Sequence, residues 1–143
     1  MLKIEKYGAI DIGSNAIRLL IVSVIEREGK DVKFKKTSLI RVPIRLGADV
    51  FVNGKISEAS YLRMVDSFKA FQLLMKTHHV LKYKACATSA MREASNGKTI
   101  VKNILKATVS WPFYSGGKKR STINKNSNLT TRKRLLLDDA VRT

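Results

Sequence analysis

Four residues close to the amino terminus combine the groups that a phosphate-binding turn needs: Asp11, Gly13, Ser14 and Asn15. Glycine lets the backbone approach an anion, and Ser14 and Asn15 can donate hydrogen bonds from side chain and main chain. Asp11 can hold a Mg²⁺ ion through water. Gly-Ser-Asn is also common in ordinary hairpin turns, so these residues alone leave both interpretations open.

The segments on either side of this turn are predicted to be strands. Residues 7–13 are an apolar run that ends at a glycine, and residues 16–25 are rich in Ile, Leu and Val. Residues 26–31 predict a hairpin turn at Gly29, and residues 32–41 predict a third strand. Three strands joined by short turns predict an antiparallel meander, with the candidate phosphate turn between its first two strands.

A long helix is predicted after the meander. Pro43 ends the strand pattern, and residues 45–54 are predicted to form a loop. Ser57 is a favourable cap for a helix that continues to His79. The predicted core side of this helix consists of Leu62, Val65, Phe68, Leu74 and Met75. His78 and His79 have no Cys or carboxylate at ligand spacing, so they indicate a helix terminus and not a metal site.

Further elements complete one predicted domain. Residues 82–87 predict a fourth strand, residues 88–94 a loop that opens into a short helix, and residues 98–107 another helix. The order β-β-β-α-β-α indicates a mixed α/β fold and not a doubly wound parallel sheet, because the first three strands form a meander. We therefore predict one domain over residues 1–107.

Three segments of this domain stand out as a set. They are AIDIGSNAIRLLI at residues 9–21, RLG at 45–47 followed by GKIS at 54–57, and ATSAMREA at 87–94. In order and spacing they resemble three motifs of the exopolyphosphatase and guanosine pentaphosphate phosphohydrolase (Ppx/GppA) family. Those motifs are the first phosphate loop, the loop before the first long helix and an Ala-Thr-x-x-x-Arg-x-Ala segment. The first loop alone also fits related kinases, so an actin-like kinase or ATPase fragment remains an alternative.

This resemblance implies a fold, an activity and several site residues. The fold would be the amino-terminal lobe of an actin-like ATPase, with an RNase H-like core. The activity would be release of terminal phosphate from inorganic polyphosphate or guanosine pentaphosphate, with Mg²⁺ as cofactor, in a homodimeric full-length enzyme. Arg92 would bind the terminal phosphoryl group, for which a planar guanidinium is suited. Arg18 is a weaker candidate, because a strand residue there can simply face solvent.

The expected general base is missing from its position. The family has a Ser-Gly turn followed by two glutamates, one of which activates water, but Lys118 and Lys119 follow Gly117 here. An ammonium group cannot accept a proton at neutral pH. The glycine-rich second phosphate loop expected near residue 140 is also absent, because residues 135–143 read LLLDDAVRT. The resemblance therefore predicts a weakly active or inactive chain.

Basic charge is concentrated toward the carboxyl end of the chain. The net charge is +17, and no acidic residue occurs between Glu93 and Asp138. Residues 118–134 have little apolar content, which predicts a poorly packed basic tail over residues 108–143. Two interpretations stay open: a genuine tail that binds polyphosphate or, less favoured, nucleic acid, or a shift of reading frame near residue 108.

Cysteine use and hydropathy predict the compartment. Cys86 is the only cysteine, so an internal disulfide is impossible, which suits a reducing cytoplasm. It falls in the fourth predicted strand, where an inert buried thiol is expected. The sequence contains no apolar run of the ~20 residues that span a bilayer and no secretory signal of the usual kind. We therefore expect a cytoplasmic protein without a membrane span.

Overall fold

The computed structural model describes residues 1–87 and 89–107 of the 143-residue chain, so the predicted basic tail lies outside the described residues. Strands and helices follow one another in an order close to the predicted one. The elements are β1 (Leu2–Ile12), β2 (Ala16–Arg27), β3 (Lys33–Pro43), α1 (Leu46–Asn53), α2 (Glu58–Thr77), β4 (Val80–Ala87), α3 (Ser89–Glu93) and α4 (Gly97–Ala107). β1 begins earlier than predicted, and β2 and β3 end later, because residues outside the apolar runs also pair with the neighbouring strand.

The four strands form one mixed sheet in the order β3-β2-β1-β4. β1 is antiparallel to β2 and parallel to β4, and β3 is antiparallel to β2. The predicted meander is confirmed, and the parallel addition of β4 follows from the long connection through α1 and α2. The hairpin turn predicted between the second and third strands is also present, with Gly29 at a φ of 71°.

One face of the sheet carries the main hydrophobic core. Ile10, Ile12, Leu19 and Ile21 point from β1 and β2 toward the helices and are almost completely buried. Gly8 allows α2 to lie close to the sheet, since a Cβ there would lie 2.9 Å from the Met75 Sδ atom on α2. A smaller cluster on the other face joins Ala9, Leu20 and Val22, with Phe34 against it.

Two details of the helices differ from the prediction. Residues 46–53 form α1, although a loop was expected, because burial of Leu46 anchors a short helix that ends at Gly54 in the left-handed region, with a φ of 67°. The core side of α2 is formed by Met64, Ser67, Phe68, Phe71 and Met75, with Val65 and Leu74 at its margin. Leu62 is 54% exposed, because the two phenylalanines set the rotation of the helix.

The carboxyl end of α2 agrees with the sequence analysis. His78 caps the helix, and His79 follows it with a φ of 56°. No group of three or more potential metal ligands occurs among the described residues. None of the helices in residues 1–87 and 89–107 is long and apolar enough to cross a membrane.

A compact hydrogen-bond arrangement joins α1 to α2. Ser57 caps α2, and its hydroxyl oxygen accepts a hydrogen bond from the Ser60 amide at 3.2 Å. The Asp49 Oδ2 atom accepts from the Ser57 hydroxyl at 2.8 Å and from the Ser57 amide at 3.1 Å. Hydrogen bonds from Ser60 and then Ser57 outweigh partial burial and lower the pKa of Asp49.

The lowered pKa of Asp49 predicts a contribution to stability that depends on pH. A carboxyl group whose pKa falls on folding stabilises the fold above its unfolded pKa of about 3.9, and this stabilisation disappears as the pH falls through the folded value. Asp49→Asn should therefore lower the free energy of unfolding near pH 7, and its effect should shrink as the pH falls through the lowered pKa of the folded protein. Urea denaturation at several pH values measures this difference.

A matched control is Asp66→Asn, because Asp66 is exposed on α2 and makes no hydrogen bond or ion pair with the described residues. The control should leave the free energy of unfolding nearly unchanged at every pH. An Asp49→Asn effect of the same size at pH 7 and pH 3 would contradict the role of the ionised carboxylate.

Candidate phosphate-binding site

The predicted turn between the first two strands is present and tightly closed. β1 ends at Ile12 and β2 begins at Ala16, so the turn proper is Gly13–Asn15, and Asp11 lies within β1. The Gly13 amide donates to the Ala16 carbonyl oxygen at 2.9 Å, and a Cβ on Gly13 would lie 2.9 Å from that oxygen. Glycine is therefore required here by crowding within the hairpin, and its predicted role in letting the backbone approach an anion stays a prediction.

Parallel pairing brings a second segment to the same edge of the sheet. Asp11 is in register with Cys86, and Ile12 with Ala87, so β1 and β4 end side by side. The chain enters α3 two residues after β4, and Arg92 is an exposed residue of that helix. Segments that follow the carboxyl ends of adjacent parallel strands commonly form ligand sites together. That Arg92 reaches the turn remains a prediction.

Arg18 makes a specific contact that the sequence analysis did not anticipate. It is in register with Asp11 across the β1–β2 ladder, and its Nη2 atom donates to the Asp11 Oδ2 atom at 2.7 Å. The arginine side chain is 47% exposed and the aspartate 15%. A half-exposed pair of this kind contributes at most about 1 kcal/mol to stability, so its main effect is to orient the two groups.

A further arginine increases the positive charge beside this pair. Arg41 on β3 is in register with Arg18, so the two side chains share one face of the sheet. Arg41 makes no ion pair within residues 1–87 and 89–107. Like charges directly opposite each other are unfavourable. The row Arg41–Arg18–Asp11 therefore has a net positive charge at the end of the sheet that carries the turn.

The segment 44–47 supports the turn from the side. The Ile44 amide donates to the Asn15 carbonyl oxygen at 3.1 Å, and the Gly47 amide donates to the Ser14 carbonyl oxygen at 2.8 Å. A Cβ on Gly47 would lie only 3.0 Å from the Ser14 Cβ atom. In the sequence, only the Arg-Leu-Gly motif at residues 45–47 pointed to this segment, and it did not predict the contact with the turn.

The chemistry available at this edge is anion binding. Ser14 and Asn15 supply hydroxyl and amide donors, and neither makes a side-chain hydrogen bond within the described residues. The described carboxylate beside the turn is Asp11, whose Oδ2 atom is bound to Arg18. Lys118 and Lys119, which occupy the expected position of the base, and Thr88 of the third motif lie outside the described residues.

Two curated relatives are similar to the chain in sequence. A bifunctional 3-dehydroquinate synthase/phosphatase from Fusobacterium nucleatum is 31% identical over 130 residues, which cover 85% of this chain and 19% of that protein. Exopolyphosphatase 1 from Mycobacterium tuberculosis is 26% identical over 103 residues, which cover 72% of this chain and 29% of that protein. The chain thus spans less than a third of either relative. No family model matches it.

Two solved structures share the fold. A Ppx/GppA family member from Aquifex aeolicus has a TM-score of 0.68 at 23% identity, covering 80% of this chain and 36% of that one. An exopolyphosphatase from Cytophaga hutchinsonii has a TM-score of 0.64 at 26% identity, covering 78% and 35%. The chain resembles the amino-terminal part of the Ppx/GppA family. The predicted resemblance and the actin-like, mixed α/β fold are thereby confirmed.

The contact between Gly47 and Ser14 makes a testable prediction about the turn. Gly47→Ala should displace Ser14 by several tenths of an ångström and weaken binding of inorganic tripolyphosphate severalfold, because anion sites depend on exact donor positions. Isothermal titration calorimetry with tripolyphosphate measures the change in Kd.

Gly29→Ala is the matched control. It also introduces strain, at a φ of 71°, but it lies at the opposite end of β2 and its Cβ would contact nothing within 4 Å. Both variants should be less stable than the wild type, and only Gly47→Ala should lose affinity. Equal affinities in the two variants would show that the segment 44–47 does not shape the site.

Proposed function

We propose that this chain supplies the first phosphate loop and the phosphoryl-binding arginine of an exopolyphosphatase-type site. The observation that carries the proposal is the adjacent ending of β1 and β4, which puts the turn Gly13–Asn15 and the segment leading to Arg92 at one edge of the sheet. The names of the exopolyphosphatases among its relatives support a phosphate chain as ligand.

The proposed ligand is the terminal part of inorganic polyphosphate or of guanosine pentaphosphate. Both end in phosphoanhydride-linked phosphates, and the described residues do not distinguish between them. Main-chain and side-chain donors of the turn would bind the phosphate oxygens, because glycine keeps that backbone accessible. Arg92 would provide a charged, planar donor for the terminal phosphoryl group. We place this reaction in the cytoplasm, in keeping with a single free cysteine.

A magnesium ion fits this site if the substrate supplies most of its ligands. Mg²⁺ usually keeps several waters and binds one or two carboxylates together with substrate phosphates. Asp11 offers its Oδ1 atom for this purpose, since Arg18 occupies Oδ2 and no described residue donates to Oδ1. The ion would neutralise charge on the phosphates, while Arg18 holds the Asp11 carboxylate in a fixed orientation.

Binding without useful turnover is the expected behaviour of the chain alone. Hydrolysis needs a group that orients and deprotonates water, and the loss of a general base costs about 10²–10⁴ in rate. Asp11 is a poor substitute because its Oδ2 atom is bound to the Arg18 guanidinium. The two lysines at the expected base position cannot accept a proton at neutral pH.

Arg92 provides the direct test of this proposal. Arg92→Ala should weaken tripolyphosphate binding about tenfold or more, because a hydrogen bond between charged groups contributes about 1.5–3 kcal/mol. Arg63→Ala is the matched control, since Arg63 is an exposed residue of α2. Isothermal titration calorimetry with Mg²⁺ measures binding, and phosphate release is measured colorimetrically in parallel.

Two results would count against the proposal. One is a wild-type chain that does not bind tripolyphosphate, and the other is an Arg92→Ala variant that binds as well as Arg63→Ala. Phosphate release by the wild type that Arg92→Ala abolishes would confirm the site but contradict the expected lack of turnover.

A further inference from the structure

We infer that Asn96 is a positioning residue that fixes α3, and with it Arg92, relative to the phosphate turn. This inference rests on the proposed function, because it concerns the orientation of the phosphoryl-binding arginine. Asn96 lies between α3 and α4, four residues after Arg92. Its role follows from a series of contacts and chain neighbours that leads from the Met91 carbonyl group, next to Arg92, to Ser14.

The central contact is a pair of hydrogen bonds between the Asn96 side chain and the backbone of Ile56. The Asn96 Oδ1 atom accepts from the Ile56 amide at 2.9 Å, and the Asn96 Nδ2 atom donates to the Ile56 carbonyl oxygen at 2.9 Å. Ile56 is 3% exposed. Only a side-chain amide offers a donor and an acceptor in this geometry, so neither aspartate nor serine can replace Asn96 at neutral pH.

On one side, this contact leads through Gly97 to the peptide bond that precedes Arg92. A Cβ on Gly97 would collide with the Met91 carbonyl group, which belongs to the peptide bond that precedes Arg92. The residue after Asn96 is therefore packed against the chain that carries the arginine. The Gly97 amide also donates to the Ala94 carbonyl oxygen at 3.1 Å, which closes the short connection between α3 and α4.

On the other side, the contact continues to the phosphate turn. Ile56 is followed by Ser57, whose hydroxyl and amide bind the Asp49 carboxylate on α1. The amide of Gly47, in the same helix, donates a hydrogen bond to the Ser14 carbonyl oxygen. A second hydrogen bond joins the same two loops, because the Ser95 amide donates to the Gly54 carbonyl oxygen at 2.9 Å. Asn96 thus joins the two segments that flank the proposed ligand.

Replacement by aspartate separates a positioning role from general stabilisation. In Asn96→Asp, the ionised carboxylate would still accept from the Ile56 amide but would repel the Ile56 carbonyl oxygen, whereas the protonated carboxyl group could donate to that oxygen. The affinity of this variant for tripolyphosphate relative to the wild type should therefore fall about tenfold at pH 7. It should recover as the pH is lowered through about 4, where an ordinary aspartic acid is half protonated.

The matched control is Asn103→Asp, which adds the same charge on α4 at a half-buried residue with no hydrogen bond to the described residues. Its affinity ratio to the wild type should not vary with pH. Recovery of Asn96→Asp at low pH, absent in the control, supports the inference. A folded Asn96→Asp variant that binds like the wild type at pH 7, or one whose loss is the same at both pH values, would overturn it.

A measurement on the wild-type chain keeps the test independent of variant folding. If Asn96 couples Ile56 to the ligand site, tripolyphosphate must stabilise the Asn96–Ile56 hydrogen bond, since coupling is reciprocal. Hydrogen exchange of the Ile56 amide should slow by a larger factor when the ligand is bound than that of Val24 in the sheet, which reports the general stabilisation of the fold by the ligand. Unchanged exchange at Ile56 under saturating ligand would overturn the inference. A wild type that does not bind tripolyphosphate would instead refute the proposed function.

Discussion

The candidate site depends on the parallel pairing of β1 with β4. This pairing places Ile12 beside Ala87, so the two chain segments that leave the strands start from one edge of the sheet. An antiparallel β4 would send the α3 segment to the opposite edge, about 25 Å away for a strand of this length. The connection through α1 and α2 makes the parallel arrangement possible. β3 ends at the end of the sheet where β1 also ends, so the chain must first cross back to the end where β1 begins.

The residues that maintain this pairing differ from those proposed to bind ligand. Phe68, Phe71 and Met75 anchor α2 on the sheet and are almost fully buried, and Gly8 allows that helix to come close to β1. Arg92 is exposed. Between these two layers lies a set of polar contacts that includes the Asn96–Ile56 amide pair, whose partners are 40 residues apart in the sequence. Burial therefore stabilises the sheet, whereas the proposed positioning of the ligand groups depends on hydrogen bonds between loops.

Local sequence patterns predicted what depends on local causes. The order of the strands along the chain, the turn after the first strand and the Ser57 cap follow from apolar runs, turn residues and capping chemistry. The pairing of Asp11 with Arg18 was missed, although a three-residue turn after Ile12 fixes that register. Asn96 could not have been found in this way, because its partner is 40 residues distant and no local pattern indicates which backbone group it meets.

The most direct test of the account is a titration of the isotope-labelled chain with tripolyphosphate, followed by NMR. The backbone amides of Gly13–Asn15 and the Arg92 Nε–H group are observed in the same spectra. A shared site predicts that all of these signals shift with one common Kd. Shifts of the turn amides without any change at Arg92, or with a clearly different Kd, would show that the two segments do not form one phosphate site.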